Sequence, residues 1–272
     1  MKTILITGST DGIGKLAALK MANDGHRVIL HGRSSEKLEN TLLELKKKTN
    51  NNAITGYTAD LSDLSSLHEF TSLIQKKYDV IDILINNAGV FKFQNAITKE
   101  GLDVRFSVNF LAPLILTSEL LPLLKQKNSS KIINLSSAAQ ASVSPEALKG
   151  NELLAMQQAY PQSKLAITMW SFYLAKKHPN IHTIAVNPGS LLNTKMVQEA
   201  YGQFWSSADK GAQILYDLAL APSYEGISGK YFDNDKGSLG SAHSDCYDEE
   251  KIKELMRITH EILRNLNITI DE

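Results

Sequence analysis

Short apolar runs alternate with longer segments of helical periodicity along most of this 272-residue chain. Residues 4–6 and 28–30 are such runs, and Ile13, Ala17 and Met21 lie between them at a spacing of four. A short continuous apolar run is typical of a strand buried on both faces, whereas a spacing of three or four indicates a helix. Strands that alternate with helices predict a parallel sheet covered by helices on both faces, with right-handed crossovers.

The pattern predicts an α/β fold of Rossmann type, with a doubly wound, mostly parallel sheet of seven strands. No linker, repeat or low-complexity tract interrupts it, so residues 1–272 are expected to form one domain. A long helix is expected over residues 102–125, with an irregularity near Pro113, because proline cannot donate a backbone hydrogen bond. The predicted strands are residues 4–6, 28–30, 53–58, 80–85, 131–135, 181–186 and 227–232.

The charge balance and the cysteine content indicate which partners and which cellular compartment to expect. Lys plus Arg and Asp plus Glu both number 29, which argues against binding to nucleic acid or to an anionic membrane. The single cysteine, Cys246, excludes an internal disulfide and suggests a reducing compartment. Glycine follows the N-terminus too soon for a secretory signal, and no apolar run approaches a membrane span. The chain is therefore expected to be cytoplasmic, with no integral membrane segment.

No metal site is expected. His178 and His182 are four apart, but Pro179 breaks the helix geometry that a metal-binding pair would need. Residues 243–246 offer three ligand types but have no partner cluster in the sequence, so a surface loop is the preferred interpretation.

Three glycines follow the first predicted strand and open the first helix. Glycine lets a backbone approach a pyrophosphate closely, and a helix N-terminus favours its negative charge. The alternative is a glycine-rich turn without a ligand, but the position of the loop favours dinucleotide binding. The residues expected to contact the dinucleotide are Gly8, Ser9, Thr10, Asp11, Gly12, Ile13 and Gly14.

The end of the second predicted strand carries no acid that could accept a hydrogen bond from a free ribose 2′-hydroxyl. Arg33 stands there instead and can grip a 2′-phosphate with a planar fork of donors, while Ser34 adds a hydroxyl. Lys15 and Lys37 add positive charge nearby. NADP(H) is therefore preferred over NAD(H), although Arg33 alone could simply solvate a loop.

The end of the third predicted strand supplies Asp60 and Leu61 as candidates for the adenine side of the site. Capping of the next helix is the alternative role for Asp60.

Tyr160 and Lys164 are four apart at the start of a predicted helix, so they should lie on one face. An ammonium beside a phenol favours the phenolate and makes the proton easier to give up. Pro161 suits a first helical turn, where its missing N–H is no loss. The alternative is a tyrosine that covers the core and a lysine that extends to solvent.

Taken together, the motifs resemble those of the short-chain dehydrogenase/reductase family, and the tail and long middle segment resemble its retinol dehydrogenase-like branch. The resemblance covers residues 3 to about 195 and keeps the family's order. The matching motifs are Thr7-Gly8-x-x-x-Gly12-x-Gly14, Asn86-Asn87-Ala88-Gly89, Asn109, Ser136-Ser137, Tyr160-x-x-x-Lys164 and Pro188-Gly189-x-x-x-x-Thr194.

The resemblance implies roles for these positions. Tyr160 would be the general acid/base, and Lys164 would favour its ionised form and bind the nicotinamide ribose. Ser137 would hydrogen-bond the substrate carbonyl, with Ser136 as the fallback, and Asn109 would hold a water of the proton relay. The further cofactor-binding residues implied are Asn87, Ala88 and Gly89 on the adenosine side, and Pro188, Gly189, Leu191 and Thr194 at the nicotinamide end.

Two segments vary within the family. Ser137 and Tyr160 are 23 positions apart, so an insertion is expected over residues 138–159, where Gln140 replaces a glycine common among relatives. The apolar residues of the insertion either line a substrate pocket or pack on the body of the fold. A substrate lid is expected over residues 190–208, and its aromatic residues suggest a lipophilic ligand or a subunit contact. The residues in question are Leu148, Leu153, Leu154 and Met156 in the insertion, and Met196, Tyr201, Phe204 and Trp205 in the lid.

The sequence thus predicts an NADP(H)-dependent carbonyl reductase or alcohol dehydrogenase acting on a small molecule. The alternative is a non-catalytic NADP(H)-binding sensor on the same fold. By resemblance, the helices over residues 102–125 and 165–176 would pair between subunits of a homodimer or homotetramer.

Overall fold

A single eight-stranded sheet forms the centre of the molecule. The computed structural model describes residues 1–270, apart from the side chain of Tyr201. The strands are β1 (Thr3–Ile6), β2 (Arg27–Gly32), β3 (Ile54–Thr58), β4 (Ile83–Asn86), β5 (Ser130–Leu135), β6 (Ile181–Asn187), β7 (Lys230–Asp233) and β8 (Ser238–Gly240). The helices are α1 (Gly12–Asn23), α2 (Ser35–Thr49), α3 (Leu67–Lys77), α4 (Val104–Phe106), α5 (Ala112–Leu124), α6 (Pro145–Leu148), α7 (Met156–Lys177), α8 (Lys195–Tyr201), α9 (Ala208–Leu220) and α10 (Glu249–Asn265).

The strand order β3-β2-β1-β4-β5-β6-β7-β8 confirms the doubly wound topology. Strands β1 to β7 are parallel, and only β8 runs antiparallel, against β7. The prediction of seven strands was one short, because β8 is a three-residue edge strand without an apolar run. The chain changes direction between β1 and β4, and this switch point opens a crevice at the carboxyl ends of the strands.

Two hydrophobic cores, one on each face of the sheet, explain the continuous apolar strands. Along β1, Leu5 points to one core, and Ile4 and Ile6 point to the other. The first core also takes residues of α3, α5, α7 and α10, and the second takes residues of α1, α2 and α9. Since successive side chains of a strand alternate in direction, both faces must be apolar.

The predicted long helix contains the expected irregularity beside Pro113. A π-helical turn at Ser107–Leu111 joins α4 to α5, and the Ala112 N–H bonds to the carbonyl of Ser107, five residues back. Pro113 has no N–H for the carbonyl of Asn109, so the ordinary helical bond to that carbonyl cannot form. π-Helical turns inside helices occur frequently at functional sites.

This helical stretch also corrects the expectation about apolar runs. Val104–Leu124 is long and apolar enough to cross a membrane by length and composition. However, 89% of its most apolar stretch is buried inside the fold. It is a core helix of this molecule.

Helix α7 begins at Met156, several residues earlier than predicted. Pro161 therefore lies inside the helix and not in its first turn, which corrects that prediction. The missing N–H of Pro161 does not stop the helix, and its carbonyl accepts a hydrogen bond from the Ala141 N–H at 3.3 Å. This bond ties the segment after β5 to the helix that carries Tyr160.

The insertion mainly packs on the body of the fold. Leu148 of α6 is fully buried in the first core, and Leu154 packs against that core, whereas Leu153 is exposed. The sequence left open whether these apolar residues line a substrate pocket or pack on the body of the fold. Leu148 and Leu154 pack on the body of the fold.

The C-terminal helix and tail cover part of the surface expected to pair subunits. Helix α10 packs with α7 in the first core, and Ile270 lies beside Leu121 and Trp170, which belong to α5 and α7. A partner subunit on this face would also contact the tail, and subunit assembly stays a prediction.

Candidate active site

A cleft at the carboxyl ends of the strands gathers most of the predicted site residues. Its volume of about 370 Å³ lies in the range of small-molecule sites, roughly 300–1,000 Å³. A larger groove of about 710 Å³ lies near the end of α7, but it contains none of the predicted site residues. The predicted residues that line the cleft are Gly8, Thr10, Asp11, Gly12, Ile13, Gly14, Arg33, Asp60, Leu61, Asn87, Ala88, Gly89, Tyr160, Lys164, Pro188, Gly189 and Thr194.

The glycine loop is held by the side chain of Asn87. Its amide donates to the carbonyls of Thr7 at 2.8 Å and Gly8 at 2.9 Å. A Cβ atom at Gly14 would lie 2.3 Å from this amide nitrogen, so only glycine leaves room for it. Asp11 ends the loop by capping α1, and its side chain accepts from the Gly12 N–H at 2.8 Å.

His31 organises the loop from behind and was missed as a site residue by the sequence analysis. Its Nδ1 accepts the Gly8 N–H at 3.0 Å, and its Nε2 lies 3.1 Å from the carbonyl of Ala59. Both contacts are satisfied by a neutral imidazole that carries its proton on Nε2. Burial lowers the pKa of His31 to about 4, so the ring stays neutral at physiological pH.

Four predicted cofactor residues do not line the cleft: Ser9, Ser34, Asn109 and Leu191. The hydroxyl of Ser9 donates to the carbonyl of Ile6 at 2.8 Å and accepts the His31 N–H at 2.9 Å, so it serves the sheet. Leu191 adopts a φ of +46°, and its carbonyl accepts the Trp205 N–H at 2.9 Å. Leu192 lines the cleft in place of Leu191.

Arg33 lies at one end of the cleft, with its guanidinium 5.1 Å from the centre of the Phe93 ring. The two nearby lysines are already paired: Lys15 with Glu44 at 2.6 Å, and Lys37 with Asp11 at 2.5 Å. Among the residues that the structure describes, no carboxylate is recorded within ion-pair distance of Arg33. Of Lys15, Arg33 and Lys37, it is therefore Arg33 whose charge is not paired with a described carboxylate and can bind an anionic ligand.

Ser34 and Asp60 have structural roles beside this end of the cleft. Ser34 caps α2 by accepting the Lys37 N–H at 3.3 Å. One oxygen of Asp60 accepts the Ser62 N–H at 3.0 Å and the Ser62 hydroxyl at 2.7 Å, which fixes the turn after β3. Asp60 does not cap the next helical segments, whose N-cap residues are Asp63 and Ser66. It lines the cleft, and its contact with the adenine side stays a prediction.

Tyr160 and Lys164 lie together at the other end of the cleft. The Lys164 Nζ is 5.7 Å from the centre of the Tyr160 ring and donates to the carbonyl of Leu135 at 2.8 Å. The ring of Phe91 packs edge-on against Tyr160, with the centroids 5.0 Å apart. Burial lowers the pKa of Lys164 to about 8, so its charge titrates near neutral pH.

Asn109 is fully buried and braces the wall of the cleft. Its side chain exchanges two hydrogen bonds with the backbone of Val90, accepting at 2.8 Å and donating at 3.0 Å. It also donates to the Ser163 hydroxyl, which in turn donates to the carbonyl of Tyr160 at 2.7 Å. Asn109 thus connects the segment after β4 with the turn of α7 that carries Tyr160.

The hydroxyls of the two serines at the end of β5, Ser136 and Ser137, differ in burial and in hydrogen bonding. The Ser136 hydroxyl is buried and shares a 2.6 Å hydrogen bond with Thr168. The Ser137 hydroxyl accepts the Ala139 N–H at 3.1 Å, and Ser137 is half-buried. Because that bond uses Ser137 as an acceptor, its own proton remains to be donated. Ser136 lines the cleft and Ser137 does not, so the preference for Ser137 as the substrate contact stays a prediction.

The loop after β6 is anchored by Asp235, which the sequence analysis did not single out. Its carboxylate accepts the Ser190 N–H at 2.8 Å, the Ser190 hydroxyl at 2.5 Å and the Asn187 amide at 2.9 Å. Burial alone would raise the pKa of Asp235, but these hydrogen bonds hold it below its usual value. The anchor holds Pro188 and Gly189 at the start of the lid.

The lid contains α8, which Thr194 caps by accepting the Val197 N–H at 3.3 Å. Met196 lines the cleft, whereas Phe204 and Trp205 are exposed. The Tyr201 side chain, also expected in the lid, lies outside the described part of the chain.

Two observations test whether a dinucleotide fits the cleft. The side-chain oxygen of Asn87 is buried and has no hydrogen-bond partner among the described residues, which leaves an acceptor for ribose or base. A Cβ atom at Gly89 would lie 3.3 Å from the Asn109 side-chain oxygen and 3.4 Å from the Lys164 Nζ. Glycine at this position leaves the space beside the Lys164 Nζ open, so that a ribose could approach it.

Comparison with known proteins agrees with this arrangement. A family model described as short chain dehydrogenase matches residues 2–203. Retinol dehydrogenase 13 of Homo sapiens is 32% identical over 93% of this chain and 82% of its own length. Polyprenol dehydrogenase of Homo sapiens is 27% identical over 99% of this chain and 87% of its own length.

The fold is also found among solved structures. A protein from Escherichia coli CFT073, described as a short chain dehydrogenase and complexed with NADPH, is 25% identical, with a TM-score of 0.71. The match covers 86% of this chain and 96% of that chain.

Proposed function

Because the chain belongs to the short chain dehydrogenase family, in its retinol dehydrogenase-like branch, we propose that it interconverts a lipophilic aldehyde or ketone and the corresponding alcohol with NADP(H). Family membership makes the chain an NAD(P)-dependent oxidoreductase. The preference for NADP(H), the carbonyl substrate and the acid/base role of Tyr160 are the proposal. The observation that carries it is one cleft lined by Arg33, which follows β2, and by Tyr160 and Lys164, whose Nζ reaches the last residue of β5.

The cofactor would lie along this cleft. The glycine loop and the N-terminus of α1 would take the pyrophosphate, and Arg33 the 2′-phosphate. Lys164 would hold the nicotinamide ribose, close to Gly89. When bound, the nicotinamide ring supplies or accepts the hydride.

The side chains supply orientation and the proton. Ser137 donates a hydrogen bond to the carbonyl oxygen, and Tyr160 gives this oxygen its proton in the direction of reduction. Lys164 keeps positive charge beside the Tyr160 ring, which favours the phenolate left behind. Asn109 would hold a water of the proton relay through its carbonyl, to which the Pro113 nitrogen cannot donate a hydrogen bond.

A lipophilic substrate is supported by the walls of the reacting end. Phe91 packs against Tyr160, and Val90 and Met196 line the cleft. Phe204 and Trp205 of the lid are exposed to solvent. The relatives named above are named for retinol and polyprenol, both apolar alcohols.

A non-catalytic NADP(H)-binding sensor is the second candidate. It is disfavoured because Tyr160, Lys164, Ser137 and Asn109 are all present, and a sensor needs none of the proton chemistry. Turnover of NADPH by the purified protein with a panel of aldehydes, ketones and retinoids separates the two. Tight NADPH binding with no turnover of any carbonyl would support the sensor.

The preference for NADP(H) is tested by Arg33→Ala. We expect the parent to bind NADPH more tightly than NADH, and the variant to lose about ten- to a hundredfold in NADPH affinity, the equivalent of one charge-assisted hydrogen bond. NADH affinity should barely change. Fluorescence titrations of both cofactors at low and high salt provide the measurement, and salt should shrink the preference because Arg33 is exposed.

The matched control is Arg257→Ala, since Arg257 is an exposed arginine on α10 that pairs only with Glu261 in the recorded ion pairs. Equal affinity of the parent for NADH and NADPH, or equal loss of both in Arg33→Ala, would show that Arg33 does not select the cofactor.

The pH dependence of NADPH affinity follows from Lys164. Its ammonium is the charged form below the pKa of about 8, so affinity should be highest below pH 8 and fall as pH rises above it. The slope cannot exceed tenfold per pH unit for one proton. NADPH titrations between about pH 6.5 and 9.5 measure this pH dependence. In Lys164→Met, the fall in affinity above pH 8 should disappear.

Lys131→Met is the control for the pH experiment. Lys131 is also a buried lysine, and its Nζ donates to the carbonyl of Leu218 at 3.1 Å, but it stands near the amino end of β5. The alkaline fall in affinity should persist in this variant. A parent affinity that stays level across pH 8 would contradict the assignment to Lys164.

A cytoplasmic location belongs to the proposal as well. It is supported by the single cysteine, whose thiol is buried.

A further inference from the structure

The carbonyl oxygen of Ser137 receives two hydrogen bonds from side chains far away in the sequence. The Tyr231 hydroxyl donates to it at 3.0 Å, and the Gln140 amide donates at 2.9 Å. The sheet itself does not hold this residue, because the last recorded ladder bond of β5 runs from the Ser136 N–H to the carbonyl of Val186. Ser137 is therefore the first residue beyond the sheet, and side chains fix its backbone.

Tyr231 reaches Ser137 from β7, two strands away from β5. It is 4% exposed, and burial raises its pKa above the usual value. The phenol therefore keeps its proton at every working pH and stays a donor. The Tyr231 hydroxyl also has a hydrogen bond with the Gln140 side chain. If the Ser137 carbonyl moved, the buried Tyr231 proton would lose its acceptor, so this bond favours one position of Ser137.

Gln140 ties the same carbonyl to the C-terminal part of the chain. Its side-chain oxygen accepts the His243 N–H at 3.0 Å, while its amide nitrogen holds Ser137. The next residue, Ala141, donates to the carbonyl of Pro161 on α7. The segment from Ser137 to Ala141 is thus fixed on one side to the helix of Tyr160 and on the other to the segment after β8.

We propose that Gln140 and Tyr231 are positioning residues that hold the backbone of Ser137 so that its hydroxyl faces the reacting oxygen. This inference rests on the proposed function, because it assigns a purpose to Ser137 in that reaction. With the backbone fixed, the Ala139 N–H occupies the Ser137 hydroxyl as an acceptor, and the hydroxyl proton is left for the substrate. Neither Gln140 nor Tyr231 lines the cleft.

The first test is a double-mutant cycle. Tyr231→Phe should lower kcat by about three- to tenfold, the range of one neutral hydrogen bond, with NADPH affinity unchanged. In a Ser137→Ala background the same change should have no further effect, because its target is already gone. Gln140→Ala should lower kcat in the same way. The proposal would be overturned if either change lowered kcat as much in the Ser137→Ala background as in the parent.

The matched control is Tyr78→Phe. Tyr78 is also a buried tyrosine, and its hydroxyl bonds Thr55 at 2.6 Å and the Tyr57 side chain, away from the cleft. It should lose similar stability and keep the parent kcat. A fall in kcat equal to that of Tyr231→Phe would mean that the effect is general destabilisation.

The second test needs no turnover. In the cofactor-free protein, amide exchange at Ala139 reports the bond to the Ser137 hydroxyl, and Tyr231→Phe should speed it by about three- to tenfold. Amides of β1 should exchange as in the parent. Unchanged exchange at Ala139 overturns the positioning role, whereas faster exchange in a protein that reduces no carbonyl would leave this role standing and refute the proposed function.

Discussion

Replacing Tyr160 by phenylalanine is expected to lower the rate of a single turnover by ~10²–10⁴-fold, the usual contribution of a positioned acid or base. The ring and its edge contact with Phe91 remain, so NADPH should bind about as tightly as to the parent. Only the proton donor is lost. Rapid mixing of the NADPH-loaded variant with carbonyl substrate, followed by absorbance, measures the rate.

Tyr224→Phe is a matched control for this variant. Its ring also packs edge-on against a phenylalanine, Phe232, with the centroids 5.6 Å apart. It should turn over like the parent. A Tyr160→Phe rate within a few-fold of the parent would remove Tyr160 from the acid/base role, because no proton could then come from this position.

Gly14→Ala is expected to damage both stability and cofactor binding. The added Cβ would lie 2.3 Å from the Asn87 amide nitrogen and 2.6 Å from the Gly8 carbonyl oxygen. Overpacking of this kind costs about 1–3 kcal/mol, which lowers Tm by about 2–12 °C in a domain of this size. Asn87 can relieve the clash only by releasing the carbonyls of Thr7 and Gly8.

Loss of that anchor displaces the loop that would hold the pyrophosphate. NADPH affinity should fall by about ten- to a hundredfold, the value of one charge-assisted hydrogen bond. Calorimetric unfolding and NADPH titration of the same samples give both quantities.

Gly237→Ala separates the two effects of the Gly14 change. Gly237 has a φ of +70°, so alanine is strained there, but a Cβ would meet nothing within 4 Å and the residue lies outside the cleft. This variant should lose stability and keep NADPH affinity. Normal NADPH affinity in Gly14→Ala would show that the Asn87 anchor does not set the shape of the loop.

The sequence predicted the parts of the site that depend on local spacing and strand order. The glycine loop, Arg33 and Asp60 each follow a strand, and parallel strands bring their carboxyl ends to one edge. Tyr160 and Lys164 need only a helix to share a face. These groups were identified without any knowledge of pairing register, and the cleft gathers them.

Residues whose roles depend on contacts across the sheet could not be found in this way. His31 bonds Gly8 and approaches Ala59, across 23 and 28 positions. In the sequence it was only a neighbour of Arg33. Ser9 is the opposite case: it lies within the motif, but its hydroxyl bonds β2 and the carbonyl of Ile6.

Strand β8 was missed because its pairing is not encoded in an apolar pattern. Ser238–Gly240 has one apolar residue, Leu239, which is exposed at the sheet edge. An antiparallel edge strand needs only a tight turn after β7, and neither face of it has to be buried. Such a strand leaves almost no trace in hydrophobicity.

The hold of Tyr231 and Gln140 on Ser137 bears on the order in which this chain matures during synthesis. The glycine loop, Arg33 and Asp60 leave the ribosome early, and Tyr160 follows well before β7. The bonds that fix Ser137 span 94 positions to Tyr231, and Gln140 waits 103 positions for His243. Because a domain folds as a unit, we expect the backbone of Ser137 to reach its final position only after β7 and the segment after β8 have been made.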